Sequence, residues 1–173
     1  KMVNLYTISD KALMGKQMNI LQSYIAENLF KNNIKISRQC VLSSTADFSF
    51  LKNLNDEIEI YIILVDKGNY VLNQTLCDVT KSVIVENPYL KNSIYDYFKK
   101  INTPMEKECE EEWKIPSKAR AIINPNGIVQ GYMLVFGNKT FYVLPNNFDE
   151  TSIMFDNVVL ENIISNQKKK YKN

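Results

Sequence analysis

The stretch Ile58–Val65, IEIYIILV, constrains the fold more than any other part of this sequence. From Ile60 onward it is apolar without alternation. A strand with one wet face alternates, whereas a strand covered on both faces reads as a continuous apolar run. The residues that follow, DKGNYVLNQT, contain one glycine and then enter a helical pattern. Strand, tight loop and helix in that order are the repeating unit of a parallel sheet with helices on both faces.

The same unit precedes it. Residues 3–8 are β-branched and aromatic and predict a strand. SDKALMG, residues 9–15, predicts a loop. Met18, Leu21, Ile25 and Leu29 recur at helical spacing, which predicts an amphipathic helix over 17–31 with Asn32 and Asn33 at its C-terminal cap. A second strand is expected over 34–41 and a short helix over 47–54. Downstream, helices are expected over 73–83 and 88–100. TPME, residues 103–106, has the form of a capping box and is expected to open a helix carrying Glu108, Glu110, Glu111 and Glu112. After Pro116 the texture changes to a short strand and turn, ARAIINPNG. A hairpin follows around Gly137-Asn138, then a terminal helix over 156–167. The expected fold is a three-layer α/β/α sandwich with a mostly parallel sheet and an antiparallel hairpin at its edge.

Composition narrows the function. The 173 residues suit one domain, with Lys168, Lys169, Lys170 and Lys172 in a disordered basic tail over 168–173. The formal net charge is +2, so no nucleic-acid partner is expected. No stretch reaches the roughly 18 apolar residues of a membrane span. Cys40, Cys77 and Cys109 are odd in number and far apart, which fits a reducing cytoplasm. There is no histidine at all. That removes the commonest general base, the commonest metal ligand and every triad built on imidazole.

Several spaced motifs carry a resemblance. NPNGIVQGYML, Asn124 to Leu134, is followed by FGNKTFYVLPNNFDE, Phe136 to Glu150. Near the start stand Ser9, Asp10, Leu13, Gly15 and Asn19. All five glycines, Gly15, Gly68, Gly127, Gly131 and Gly137, fall where one family places glycine. The chain resembles the molybdopterin-binding (MoCF, MoaB/MogA-like) family, most closely the N-terminal domain of the competence/damage-inducible CinA proteins. The resemblance covers nearly the whole chain. It implies a MogA/MoaB/CinA-type sandwich, a phosphate loop after the third strand, and relatives that cleave ADP-ribose-like nucleotides with a metal ion.

The departures fall on that loop. The family reads G-G-x-G-x-T-x-D-D-x-T, whereas this chain runs from Val65 and Asp66 through Gly68 and Tyr70 to Leu72, Asn73 and Thr75. Paired carboxylates hold Mg²⁺ by charge; a leucine offers no ligand and an asparagine only a neutral carbonyl. Asp66 brings a negative charge to a helix start that would otherwise suit an anion, and Lys67 offsets it with one flexible cation. The family's N-x-x-Q-A-x-x-P stretch becomes CEEEWKIP, residues 109–116.

The expected function is therefore a divergent CinA-like domain, catalytically degenerate, with a phosphate-bearing nucleotide or a molybdopterin-like pterin as ligand. Candidate ligand contacts are Ser9, Asp10, Asn19, Asp66, Lys67, Gly68, Asn69, Asn73, Thr75 and Asn124. Each has a plain structural reading beside it. Gly68 serves a turn, Asn73 a helix cap and Thr75 a bond to its own backbone; Asn124 belongs to a turn, and Glu106–Glu112 form a solvated face. Two alternatives stay open. One is an interaction module that self-associates through the hairpin edge. The other is an active metal-dependent nucleotide pyrophosphatase.

Overall fold

The computed structural model describes residues 2–53 and 57–171. In chain order the elements are β1 (Met2–Ile8), α1 (Asp10–Leu13), α2 (Ile20–Lys31), β2 (Lys35–Leu42), β3 (Ile58–Val65), α3 (Tyr70–Thr80), β4 (Ile84–Glu86) and α4 (Pro88–Lys100). They continue with β5 (Lys114–Pro116), β6 (Arg120–Ile122), β7 (Gly131–Phe136), β8 (Lys139–Pro145), α5 (Phe148–Met154) and α6 (Leu160–Tyr171). Two 3-10 helices, Ser49–Lys52 and Lys107–Trp113, and a π-helical turn, Phe155–Val159, complete them.

The main sheet has the order β2-β1-β3-β8-β7-β6. Strands β2, β1, β3 and β8 run parallel; β7 and β6 are antiparallel to their neighbours. The apolar run of β3 explains itself here. Tyr61, Ile63 and Val65 face one core, with Leu72, Leu76, Leu90, Ile94 and Trp113 from the far side. Ile62 and Leu64 face the other core, with Leu21, Ile25, Leu29, Phe155 and Ile163. Both faces of the strand are covered, so neither set of alternate positions can be polar. This is the α/β/α sandwich expected from the sequence.

Several elements differ from expectation. The hairpin is not an edge: β8 pairs with β3, and β6 covers the outer side of β7. The apolar run FYVL inside β8 is the mark of a central strand, buried at all four positions. The true edges are the three-residue β6 and the long β2. Lys35, Arg38 and Gln39 of β2 are exposed, which makes that edge a poor template for pairing. The loop at 9–15 contains the single turn of α1, because the Ser9 hydroxyl accepts from the Ala12 amide at 3.2 Å and caps it. The capping box does not form. The Thr103 hydroxyl bonds the Ile101 carbonyl instead, and the acidic segment that follows is a 3-10 helix. The helix expected over 47–54 is the 3-10 turn Ser49–Lys52, and Leu54 lies outside the described residues.

The terminal helix starts earlier than its hydropathy suggests, at Phe148, because the Asn147 side chain caps it by accepting from the Glu150 amide at 3.0 Å. It also runs on through Lys168 and Lys169 to Tyr171, where a disordered tail was expected. Buried Ile163 anchors it, and lysines near a helix C-terminus meet the negative end of its dipole. Strands β4 and β5, three residues each, pair in a separate ladder and are too short to show any periodicity.

Candidate functional site

Strands β1 and β3 lie side by side with Ile8 opposite Val65 at their carboxyl ends. β1 leads to β2 on one side and has β3 on the other, so the chain diverges here, and α/β sheets form ligand crevices at such points. An open cleft of about 410 Å³ lies beyond these ends. Ile8, Asp10, Lys11, Ser44, Asp66, Lys67, Gly68, Asn69, Tyr70 and Val71 line it.

The walls are built by side chains bonding across loops. The Asp10 carboxylate accepts from the Ser43 hydroxyl at 2.9 Å, the Ser44 amide at 2.9 Å and the Ser44 hydroxyl at 2.5 Å. The Ser44 hydroxyl bond, then the Ser44 amide and the Ser43 hydroxyl, hold this carboxyl below the usual carboxylate range, with a smaller contribution from Lys67. A carboxylate so stabilised is a weak base. The chain has no imidazole beside Ser44 to act as a general base. Asn69 ties the second loop to the first. Its Oδ1 accepts from the Leu72 amide at 3.0 Å, capping α3, and its Nδ2 donates to the Ser44 carbonyl at 3.0 Å.

Asn69 is thus the cap of α3, which begins at Tyr70, three residues before the expected start. The shift turns Asn73 inward. It is 8% exposed and accepts from the Tyr132 hydroxyl at 2.5 Å. Burial raises the Tyr132 pKa strongly, so this hydroxyl stays protonated as the donor. Tyr132→Phe would leave the Asn73 carbonyl oxygen buried without that donor. The expected cost is about 1–3 kcal/mol of stability. Chemical denaturation checks it, and ligand affinity should not change.

The other candidates divide in the same way. Asp10, Asp66, Lys67, Gly68 and Asn69 share the cleft. Asp66 accepts from Asn146 Nδ2 at 2.9 Å, while the Lys67 side chain is exposed at the mouth. Ser9 lies behind the cleft, 1% exposed, as the cap of α1. Asn19 accepts from the Thr7 hydroxyl at 3.3 Å. The Thr75 hydroxyl bonds the Val71 carbonyl at 2.8 Å within its own helix. Asn124 is fully buried in the loop before β7 and does not line the cleft.

Gly68 departs from the turn reading. Its φ is not in the left-handed region, so the turn itself does not need glycine. Its amide donates to both oxygens of Glu112, at 3.0 and 3.1 Å, and a Cβ would stand 3.0 Å from Glu112 Oε2, so the carboxylate would have to shift by a few tenths of an ångström. Glu112 belongs to the acidic segment expected to be a solvated face. Only part of it is: Glu111 pairs with Lys114 at 2.8 Å while Glu112 turns inward. Burial raises the Glu112 pKa, opposed by the Gly68 amide and by Lys67. Periodicity could not single it out. The motif alignment could have, because CEEEWKIP places Glu112 at the glutamine of N-x-x-Q-A-x-x-P. Among the described residues no group of three or more Cys, Asp or Glu side chains is placed to hold a metal ion.

No family model matches the chain. It is 26% identical over 170 residues to a CinA-like protein of Flavobacterium psychrophilum, covering 92% of this chain and 40% of that protein. The CinA protein of Thermoplasma acidophilum superposes with a TM-score of 0.74 at 17% identity, covering 95% of this chain and 98% of that one. The chain carries a CinA-like domain with the MoaB/MogA fold. The molybdopterin biosynthesis enzyme MoaB of Thermus thermophilus shares that fold, with a TM-score of 0.53 at 12% identity over 91% of this chain and 89% of that one. The CinA-like domain spans about two fifths of the length of the curated relatives it matches.

Proposed function

We propose that this CinA-like domain binds a small phosphate-bearing ligand, a nucleotide or a pterin, in the cleft beyond β1 and β3, and does not hydrolyse it. One observation carries the reading. Tyr70, 66% exposed at the start of α3, stands in a cleft that also presents two cations, Lys67 just before that helix and Lys11 from α1. An aromatic face stacks on a heterocycle, and a cation beside a helix N-terminus attracts phosphate. The lack of hydrolysis follows from the residues at the two positions where the resembled family keeps carboxylates. Leu72 is fully buried, and Asn73 is committed to Tyr132.

Calorimetric titration with AMP, ADP-ribose and a pterin, each with and without Mg²⁺, tests the reading. Binding independent of Mg²⁺ and without turnover is the expected result. Lys67→Ala should weaken a phosphate-bearing ligand about tenfold, the scale of one charge-assisted contact. Metal-dependent release of AMP from ADP-ribose would overturn the non-hydrolytic assignment. Heats at the level of dilution for all three ligands would overturn binding.

A second reading, self-association, is favoured by a different surface from the hairpin. Leu13 (52% exposed), Met14 (62%), Met18 (80%) and Ile20 (50%) lie in one short segment beside α1. Exposed apolar clusters of this kind are common at interfaces. Light scattering decides it: a monomeric mass across the micromolar range would remove it. Among the described residues no helix is long and apolar enough to cross a membrane.

A further inference from the structure

We propose that Glu112 is a built-in competitor for anions at the phosphate loop: its carboxylate holds the Gly68 amide, and a ligand phosphate gains that amide only by displacing it. The proposal rests on the cleft reading for the location of the ligand and adds what controls access to one part of it.

Three observations converge on it. First, the donor is already taken. Both carboxylate oxygens share one backbone N–H, at 3.0 and 3.1 Å, in a three-centre bond, so an anionic group already occupies that donor. Second, the loop is shaped for it. A Cβ at position 68 would lie 3.0 Å from Oε2 and 3.3 Å from Cδ, a tight contact that Glu112 would have to relieve by shifting a few tenths of an ångström, whereas glycine lets the carboxylate sit on the amide unshifted. Third, the carboxylate is delivered from a fixed support. The next residue, Trp113, is 2% exposed, packs against Tyr95 with ring centroids 5.6 Å apart, and lies in the core shared by α3 and α4. A carboxylate anchored this way loses little freedom when it binds.

The consequence is electrostatic. Gly68 lines the ligand cleft, and on its other side it lines a small recess shared with Glu112. A phosphate approaching the Gly68 amide meets a negative group already in place and must break a charge-assisted hydrogen bond to enter. In the resting domain the loop therefore accepts a phosphate at the Lys67 side and refuses one at Gly68.

The test is titration of inorganic pyrophosphate into ¹⁵N-labelled wild-type, Glu112→Gln and Glu112→Ala protein. The chain has only five glycines, so the Gly68 amide resonance is readily followed. Glu112→Ala is expected to bind pyrophosphate at least about tenfold more tightly than wild type, with the Gly68 amide shifting as the anion is added. Glu112→Gln keeps the shape and an acceptor but removes the charge, and should fall between the two. It carries the test if the alanine variant does not fold, as judged by the resonance of Gly131, which is buried in β7 against Met154 and Leu144. Equal affinity in all three proteins would overturn the competitor and leave the cleft reading standing. No binding to any of them would overturn both.

Discussion

Asn124→Ala is expected to destabilise the domain by about 2–4 kcal/mol, because it removes one side chain and orphans groups on three sides. Asn124 is 0% exposed. Its Nδ2 donates to the Val129 carbonyl at 2.8 Å and to Glu150 Oε1 at 2.7 Å. Its Oδ1 accepts from the Asn126 amide at 3.1 Å. Gln130 closes the loop from the other side, accepting from the Asn124 amide at 2.8 Å and donating to the Asn124 carbonyl at 3.0 Å. Truncation leaves Glu150 half-buried without its amide donor, and a carboxylate in that position costs more than a neutral group. Asn124→Asp should be no rescue, since it sets a second negative charge against Glu150. Thermal unfolding should fall by about 5–15 °C for a chain of this size. A loss under about 0.5 kcal/mol in urea titration would mean that the loop holds without this residue. The same lock explains Gly127, where a Cβ would sit 1.8 Å from Glu150 Oε1.

Phe155→Ala should cost more, about 3–5 kcal/mol, as a large aromatic removed from a closed core leaves both lost transfer energy and a cavity. Phe155 is 0% exposed and begins the π-helical turn between α5 and α6. The extra residue in such a turn changes which face of a helix looks inward. Here Met154, Phe155, Val159 and Ile163 all reach the core formed with Val3, Leu5, Ile62 and Leu64. Differential scanning calorimetry checks the size of the loss. Because this core lies on the sheet face opposite α3, the ligand affinity of the folded fraction should be unchanged. An affinity loss without a stability loss would place Phe155 in the site and not in the scaffold.

Much of the molecule was legible in advance where the signal is local. Strand β3 and helix α4 have the boundaries their hydropathy predicts, since apolar period and caps act over a few residues. Helix α3 was shifted by one turn because two asparagines four apart, Asn69 and Asn73, both suit a cap. Only the position of Ser44 across the cleft, bonded to Asn69, and that of Tyr132 beneath, bonded to Asn73, separates them. The hairpin was misplaced as an edge for a related reason. Which strand ends a sheet depends on what pairs with it, and β6 is only three residues long.

The sequence by itself determined the layer architecture and the place of the cleft at the end of β3. Each of these rests on residue type and spacing within one segment. The tertiary structure alone decided what the Gly68 amide bonds. Glu112 and Gly68 are 44 residues apart, and no periodicity links them. They meet because Trp113 packs into the core beneath α4 and carries its neighbour to the loop. A charged side chain in an acidic run looks solvated until a distant backbone group is brought within 3.0 Å of it.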